Sequence, residues 1–198
     1  MSANIFPEAS VVNTTHKEKL LAQKGIVIWM VGLSGSGKST LAKLFEKHLH
    51  DKGVLTQLLD GDNLRTGINS NLGFTENDRI ENLRRVAEIA KLFNNCGIVT
   101  ICSFISPTNQ SRAMAKQIVG ENNFYEVFVS CPLEVCEKRD VKGLYKKARY
   151  GEVENFTGIS SPFEEPQHPF LKIETDKFST EDSLAQIISA FADKIKQA

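Results

Sequence analysis

The stretch Gly32-Leu33-Ser34-Gly35-Ser36-Gly37-Lys38-Ser39-Thr40 matches the pattern G-x-x-x-x-G-K-[ST]. It follows the apolar run Ile26–Val31 and precedes residues 41–45, where apolar side chains recur with helical spacing. A strand, a glycine-rich loop and a helix in this order form a phosphate-binding loop. Glycines let the backbone turn its N–H groups toward phosphate oxygens, and the helix start adds unpaired N–H groups. The stretch therefore predicts a nucleoside triphosphate site.

Two side chains of this stretch have the chemistry that such a site needs. Lys38 is placed to reach the β- and γ-phosphates of ATP, and the Ser39 hydroxyl is placed to hold Mg²⁺. The remaining predicted contacts to ATP come from the loop itself, at Gly32, Leu33, Ser34, Gly35, Ser36, Gly37 and Thr40. A glycine-rich turn without a ligand is the alternative, but the agreement of motif, strand and helix favours the phosphate loop.

The composition is that of one globular domain covering residues 1–198, with a weakly patterned N-terminal arm over 1–24. Lys and Arg together number 24, as do Asp and Glu, so the formal net charge is zero and no global field favours nucleic acid or a membrane surface. The N-terminal residues lack the pattern of a secretory signal, and the four cysteines lack metal-ligand spacing. We therefore expect a cytoplasmic protein with structural thiols.

Apolar runs alternate with helical patterns along the chain. Strands are expected over Ile26–Val31, Val54–Leu59, Ile98–Phe104, Phe124–Ser130 and Phe170–Glu174. Helices are expected around 17–23, over 38–50, from 75 to about 93, from Pro107, over 133–139 and over 180–196. This alternation predicts an α/β fold of the P-loop NTPase type, with three layers and a five-stranded parallel sheet covered by helices on both faces.

Residues 140–169 break this pattern, because they show no sustained period and begin with many basic side chains. A segment of this length inside a domain is usually functional or disordered. We predict a mobile lid that closes over the triphosphate and excludes water, since phosphoryl transfer in an open site wastes ATP. The alternative is a solvated loop whose lysines provide solubility.

Charged side chains also follow the second predicted strand, at the edge where ligands of open α/β sheets gather. Of Asp60 and Asp62, we favour Asp62 for proton or metal chemistry, because Asp60 is placed to brace the turn. Arg79 and Asn82 are three apart on one predicted helix and project to the same side, with Arg65 before them. Together they would bind a small anionic acceptor. Since no N-K-x-D motif is present, a small-molecule kinase is favoured over a GTPase.

Six further blocks stand in a fixed order: Leu59-Asp60-Gly61-Asp62-Asn63-Leu64-Arg65, Asn71-Leu72-Gly73-Phe74, Asp78–Arg85, Ser103-Phe104-Ile105-Ser106-Pro107, Lys138–Arg149 and Phe156-Thr157-Gly158-Ile159. In these blocks, from about Ile26 to Thr175, the chain resembles adenylylsulfate kinase (APS kinase), and the Lys138–Arg149 block is highly specific. The resemblance implies transfer of the ATP γ-phosphoryl group to the 3′-hydroxyl of adenosine 5′-phosphosulfate (APS). The products would be 3′-phosphoadenosine 5′-phosphosulfate and ADP, in sulfate assimilation.

The resemblance also implies roles for individual residues. Asp62 would lie near the acceptor 3′-hydroxyl as a base or as a ligand of metal-bound water. Contacts to the phosphosulfate would come from Arg65, Arg79 and Lys142, since guanidinium forks suit tetrahedral oxyanions. The adenosine part would be read by Asn82 and the backbone of Ile105 and Ser106, with its adenine between Phe74 and Phe156. Asn63 would complete the acceptor site, and Arg139 the ATP site.

Ser106 aligns with a position described as phosphoserine in bacterial members of the family, which would make the chain a phosphoprotein. In-line transfer needs positioning and charge stabilisation rather than a covalent relay. We therefore predict that Ser106→Ala retains substantial turnover. One departure from the family is Thr108-Asn109, where many relatives have an aromatic residue.

The resemblance also implies partners, and two alternative functions stay open beside it. Family members form homodimers, and any ATP sulfurylase partner of this chain would be a separate protein. Another small P-loop kinase, acting on a nucleotide or metabolite hydroxyl, is the alternative enzyme. A non-catalytic nucleotide-binding module that regulates a sulfurylase is the alternative from another class, but intact Lys38 and Asp62 argue against it.

Overall fold

A computed structural model describes residues 6, 8 and 10–196, so residues 1–5, 7 and 9 of the predicted N-terminal arm lie outside the described part. Its five strands are β1 (Val27–Val31), β2 (Thr56–Asp60), β3 (Val99–Ser103), β4 (Phe124–Ser130) and β5 (Leu171–Glu174). They form one parallel sheet in the order β2-β3-β1-β4-β5. This confirms the predicted α/β class and the five-stranded sheet.

The helices lie before the first strand, between the strands and after the last strand. They are α1 (Thr14–Leu21), α2 (Lys38–Asp51), α3 (Gly61–Arg65), α4 (Glu76–Asn94), α5 (Asn109–Val119), α6 (Leu133–Arg139), α7 (Leu144–Arg149) and α8 (Thr180–Ile195). None of the helices in the described part is both long enough and apolar enough to cross a membrane. The predicted start of α5 at Pro107 is wrong, because Thr108 caps this helix by accepting the Ser111 N–H at 3.2 Å.

Strand β1 is buried on both faces, as its uninterrupted apolar sequence predicts. Ile28 and Met30 pack into a cluster with Phe45 of α2 and Phe191 of α8. Trp29 packs on the other side, in a cluster that includes side chains of α4 and α5. Because the strands are parallel, the carboxyl ends of all five meet at one edge of the sheet. The residues that follow the strands are therefore brought together there.

The segment 140–169 is more ordered than predicted. Asp140 caps α7 by accepting the N–H groups of Tyr145 at 2.9 Å and Lys146 at 3.1 Å. Tyr145 is only 1% exposed and belongs to a third apolar cluster with Leu33, Cys131, Cys136, Ala148 and Phe156. The expectation of no regular structure is therefore wrong for 144–149, while the mobility of the lid stays a prediction.

Cys102 is buried like Cys131 and Cys136, and Cys96 is exposed.

Candidate active site

The phosphate loop joins β1 to α2, which confirms the predicted strand–loop–helix arrangement. Its sharpest requirement for glycine is at Gly32, where an added Cβ would lie 2.4 Å from the carbonyl oxygen of Val129. Gly37 precedes α2 with φ of 98°, a backbone conformation that residues with a Cβ rarely adopt. The loop can therefore keep its shape only with glycine at these positions.

Lys38 lies folded over the loop. Its side chain is buried, and Nζ donates to the Leu33 carbonyl at 2.6 Å and contacts Ser36 Oγ at 3.4 Å. Burial lowers the pKa of Lys38 to about 8, because desolvation disfavours the charged form. The ammonium group is thus held by one carbonyl and one hydroxyl oxygen of the loop that is expected to bind phosphate.

Three side chains from later in the sequence hold the loop. Tyr145 donates its hydroxyl to the Ser34 carbonyl at 2.8 Å, and Thr175 donates to the Ser36 carbonyl at 2.8 Å. Arg139 contacts the Gly35 carbonyl at 3.3 Å and donates to the Thr175 carbonyl at 2.7 Å. Arg139 was predicted as an ATP ligand. Sequence reasoning missed the roles of Tyr145 and Thr175, although Tyr145 lies inside the Lys138–Arg149 block.

An oxygen-rich group lies beside the loop. Ser39 Oγ donates to Asp60 Oδ2 at 2.8 Å and is 3.3 Å from Ser103 Oγ. The other oxygen of Asp60 accepts the Asp62 N–H at 3.1 Å, so Asp60 braces the turn into α3 as predicted. Its contact with Ser39 was not predicted. Carboxylate and hydroxyl oxygens are the donors that Mg²⁺ prefers, so this group fits the ion expected at Ser39.

The predicted base and a predicted lid residue lie together. Asp62 and Lys142 form an ion pair although both side chains are largely exposed. The pair joins the end of β2 to the segment before α7. It therefore brings a carboxylate and an ammonium group to the same place, beside the Ser39–Asp60 contact.

Two predicted phosphosulfate ligands lie around Phe74. The Arg65 guanidinium lies 4.3 Å from the centroid of the Phe74 ring, and Arg79 Nε donates to the Phe74 carbonyl at 3.0 Å. Arg79 also donates to Asn155 and Thr157 of the lid segment. Burial lowers the pKa of Arg79, and the nearby charge of Arg65 lowers it further. Two cations held this close suit a ligand with two negative charges.

The two predicted adenine-stacking rings differ in their surroundings. Phe74 is 60% exposed, but Phe156 is 8% exposed and packs edge-on against Tyr145 at 4.9 Å between centroids. Phe156 is therefore part of the third apolar cluster, and stacking of both rings on one adenine stays a prediction. Asn63, also predicted for the acceptor site, is exposed on α3.

Asn82 is buried, and its Oδ1 accepts a hydrogen bond from Asn69 Nδ2 at 2.9 Å. Asn69 is fully buried, and its own Oδ1 has no hydrogen-bond partner in the described part. The contact fixes the amide of Asn82 with its oxygen toward Asn69, which leaves its NH₂ group available to a ligand. Sequence reasoning missed Asn69, since no pattern distinguishes it from the other asparagines of that turn.

Ser106 is buried and has an unusual backbone conformation. Its φ is 45°, its side chain is 1% exposed, and its Oγ accepts the Trp29 indole N–H at 2.9 Å. Its carbonyl accepts a hydrogen bond from Arg112 Nη1 at 2.7 Å. Ile105 precedes it on the same loop after β3. The Ser106 hydroxyl is therefore engaged inside the protein, and sequence reasoning missed both of its partners.

Comparison with known proteins finds adenylylsulfate kinases both by family model and by sequence identity. A family model described as adenylylsulphate kinase matches residues 24–174. The adenylyl-sulfate kinase of Bacteroides thetaiotaomicron is 58% identical over 181 residues, which are 91% of this chain and 90% of that protein. The adenylyl-sulfate kinase of Clostridium acetobutylicum is 54% identical over 187 residues, 94% of this chain and 93% of that protein.

Solved structures agree with this result. The APS kinase of Mycobacterium tuberculosis, in complex with AMPPNP and APS, has a TM-score of 0.82 and 44% identity, covering 85% of this chain and 98% of that chain. A hexameric APS kinase from Thiobacillus denitrificans has a TM-score of 0.66 and 27% identity, covering 87% of this chain and 30% of that chain. Shikimate kinase from Aquifex aeolicus, with 14% identity and a TM-score of 0.52, shares the fold.

Proposed function

The chain belongs to the adenylylsulfate kinase family, and we propose that it carries out the family's reaction at the carboxyl edge of its sheet. It is an ATP-dependent phosphotransferase, and the reaction moves the γ-phosphoryl group of ATP to the 3′-hydroxyl of adenosine 5′-phosphosulfate. The observation that supports this location best is that the phosphate loop lies beside the Asp62–Lys142 pair and the two guanidinium groups around Phe74.

The ATP side of the site consists of the loop residues 32–40 with Lys38 and Arg139. The loop N–H groups and the Lys38 ammonium would bind the β- and γ-phosphates, and Lys38 would exchange its bonds to Leu33 and Ser36 for phosphate oxygens. Ser39 and Asp60 would hold Mg²⁺ directly or through water, and the bound ion would neutralise charge that develops on the transferred group. Tyr145 and Thr175 keep the loop in position.

The acceptor side consists of residues around α3 and the start of α4. Arg65, Arg79 and Lys142 would bind the phosphosulfate, whose two negative charges match the closely spaced cations. The adenosine part would contact the Asn82 amide, the backbone of Ile105 and Ser106, and Asn63. Phe74 would stack on the adenine from its exposed position, with Phe156 on the other side after rearrangement of the lid.

Asp62 is the group proposed to meet the acceptor hydroxyl. Its carboxylate would accept a hydrogen bond from the 3′-hydroxyl, orient the oxygen toward the γ-phosphorus, and take the proton as the new bond forms. When the acceptor binds, Lys142 would move from Asp62 to the phosphosulfate. Asp62 would then be free to meet the 3′-hydroxyl of the same ligand. Ser106 would act through its backbone and not as a phosphoryl carrier, since its hydroxyl is buried against Trp29.

The wider organisation is also proposed by analogy with the family. The chain would work in the cytoplasm as a single-domain homodimer, with residues 140–169 as its lid and any ATP sulfurylase as a separate protein. Sedimentation velocity of the purified chain tests the dimer directly.

A coupled assay with ATP, Mg²⁺ and adenosine 5′-phosphosulfate tests the function. We expect the 3′-phosphorylated product from the wild type and from Lys43→Ala, an exposed lysine on the same helix, but not from Lys38→Ala. Preference for a nucleoside monophosphate as acceptor would support another small P-loop kinase. Tight ATP binding without any product would support a non-catalytic module.

A further inference from the structure

We propose that Arg112 is a positioning residue for the acceptor nucleotide, acting through the backbone of Ser106. This inference rests on the proposed function, in which the backbone of Ile105 and Ser106 reads the adenosine part. Arg112 lies on α5, outside every motif that pointed to the site.

Arg112 is 4% exposed and uses all three guanidinium nitrogens. Its Nη1 donates to the Ser106 carbonyl at 2.7 Å, and its Nη2 donates to Asn109 Oδ1. Its Nε lies 2.9 Å from Glu126 Oε1 on β4, an ion pair in which the N–H does not point directly at the oxygen. A planar guanidinium held at three points fixes the carbonyl that it contacts.

Glu126 is the partner that keeps Arg112 in place. It lies in the middle of β4, so its position is set by the sheet. Its side chain is mostly buried, and burial raises the pKa of Glu126 while it lowers the pKa of Arg112. Each charge compensates the desolvation of the other, so removal of either one leaves a buried unpaired ion. The pair therefore connects the rigid sheet to the Ser106 carbonyl.

Ser106 needs such a connection because its φ of 45° is costly for a residue with a Cβ. Trp29 holds its hydroxyl on one side, and Arg112 holds its carbonyl on the other. Within the described part of the chain, the N–H groups of Ile105 and Ser106 have no acceptor among the hydrogen bonds of the protein. Two fixed donors without a protein partner are suited to a ligand.

The departure of Thr108-Asn109 from the family pattern falls in this network. Asn109 Oδ1 accepts from Arg112, and the Asn109 N–H donates to Glu164 at 2.7 Å. Thr108 caps α5, the helix that carries Arg112. In this chain, the short polar residues at these two positions therefore supply part of the support for Arg112.

Arg112→Lys and Glu126→Gln test the proposal, with Gln117→Ala, at an exposed position on the same helix, as the control. Lysine keeps the positive charge, but its single nitrogen cannot reach three acceptors. We expect the KM for adenosine 5′-phosphosulfate to rise about tenfold in Arg112→Lys, which corresponds to the loss of one charge-assisted hydrogen bond. The rise should be smaller in Glu126→Gln, because Arg112 itself is still present. The KM for ATP should change by less than about twofold, because the phosphate loop is untouched. Gln117→Ala should change neither KM, since its side chain is exposed and contacts neither Arg112 nor Glu126 through any hydrogen bond or ion pair of the described part.

Tryptophan fluorescence gives a second readout, because Trp29 is the only tryptophan in the chain and its indole N–H bonds to Ser106. We expect the emission maximum to move in both network variants and not in the control. Equal changes in both KM values, or an unchanged acceptor KM together with lower thermal stability, would overturn the proposal. If Arg112→Lys does not fold, Glu126→Gln decides by the same criteria. A wild type that forms no product would refute the proposed function instead.

Discussion

The charge of Lys38 should depend on what is bound beside it. Its pKa of about 8 lies below the ordinary value of 10.5, and a bound phosphate would raise it again by favouring the ammonium form. ATP binding above pH 8 should therefore take up a proton, and the affinity should fall as the pH rises. In the protein without nucleotide the same pKa makes stability increase from pH 8 to 10.5, because the unfolded chain binds the proton over that range.

Calorimetry in buffers of different ionisation enthalpy measures this uptake. Proton uptake should approach one per ATP above pH 8 and vanish in Lys38→Met. Equal uptake by the variant would assign the proton to another group.

Ser106→Ala removes only the hydroxyl that accepts from Trp29 and leaves the backbone contacts in place. We expect turnover within about threefold of the wild type and a loss of roughly 1 kcal/mol in the free energy of unfolding, the usual value of one hydrogen bond. Steady-state kinetics and urea titration measure the two effects. Loss of nearly all activity in a folded variant would instead indicate a covalent role for the hydroxyl.

Asn69 holds the oxygen of the Asn82 amide, which the proposed function places beside the acceptor. Aspartate at this position cannot donate, so Asn69→Asp should make Asn82 turn its NH₂ group toward residue 69 and its oxygen toward the ligand. The KM for the acceptor should rise about tenfold, with a smaller rise in Asn69→Ala. Asn71→Asp is the matched control, because Asn71 accepts from Arg85 and aspartate can do the same. Equal effects of the two aspartates would rule out the reorientation.

At the scale of elements, α7 is the piece of the lid segment that supports the phosphate loop. Burial raises the pKa of Tyr145, so its hydroxyl stays protonated and donates to the Ser34 carbonyl. Tyr145→Phe should lower the free energy of unfolding by about 1 kcal/mol and raise the KM for ATP roughly fivefold. Tyr150→Phe, at an exposed tyrosine just beyond α7, should do neither. An unchanged KM for ATP would show that the loop holds its shape without α7.

The elements that the sequence predicted are those with local causes. Apolar runs predicted all five strands to within two residues of either end, since buried parallel strands need apolar side chains on both faces. Helices α3 and α7 are too short to show a period. The start of α7 depends on an Asp140 side chain that caps residues five and six positions later. The start of α5 was predicted too early because proline is enriched in the first turn of helices, whereas Pro107 directly precedes the Thr108 cap.

At the scale of the whole molecule, Gln23 joins segments that are distant in sequence. Its buried amide donates to the carbonyls of Leu55 at 2.9 Å and Gly97 at 2.8 Å, and it accepts the Leu55 N–H at 2.8 Å. Gln23→Ala should lower the free energy of unfolding by about 2–4 kcal/mol, the sum of three such bonds, without changing either KM. Gln110→Ala, at an exposed position on α5, should have no effect in thermal melting. A melting curve for Gln23→Ala that overlays the wild type would refute this role.

The residues of the candidate site fall into two groups: those that a short stretch of sequence identifies, and those that only the folded chain brings together. The place of Lys38 and Ser39 at the phosphate loop was predictable because their motif is contiguous, and the place of Arg79 on α4 was predictable from the helical pattern, while their ligand roles stay predictions. Arg112, Asn69 and Thr175 were not predictable, because their roles depend on which segments the fold brings together. Thr175 contacts Ser36 across 139 positions, and Trp29 contacts Ser106 across 77. No pattern within a short window contains such information.

The contact of Thr175 with the loop also bears on where this domain can be cut. The family match ends at residue 174, one position before the hydroxyl that holds Ser36 and ahead of α8, whose Ile187 and Phe191 cover one face of the sheet. A minimal fragment trimmed to the matched span would keep every signature residue and still lose a side chain that holds the phosphate loop. Fusions and truncations of this enzyme should therefore place their junctions beyond the last helix.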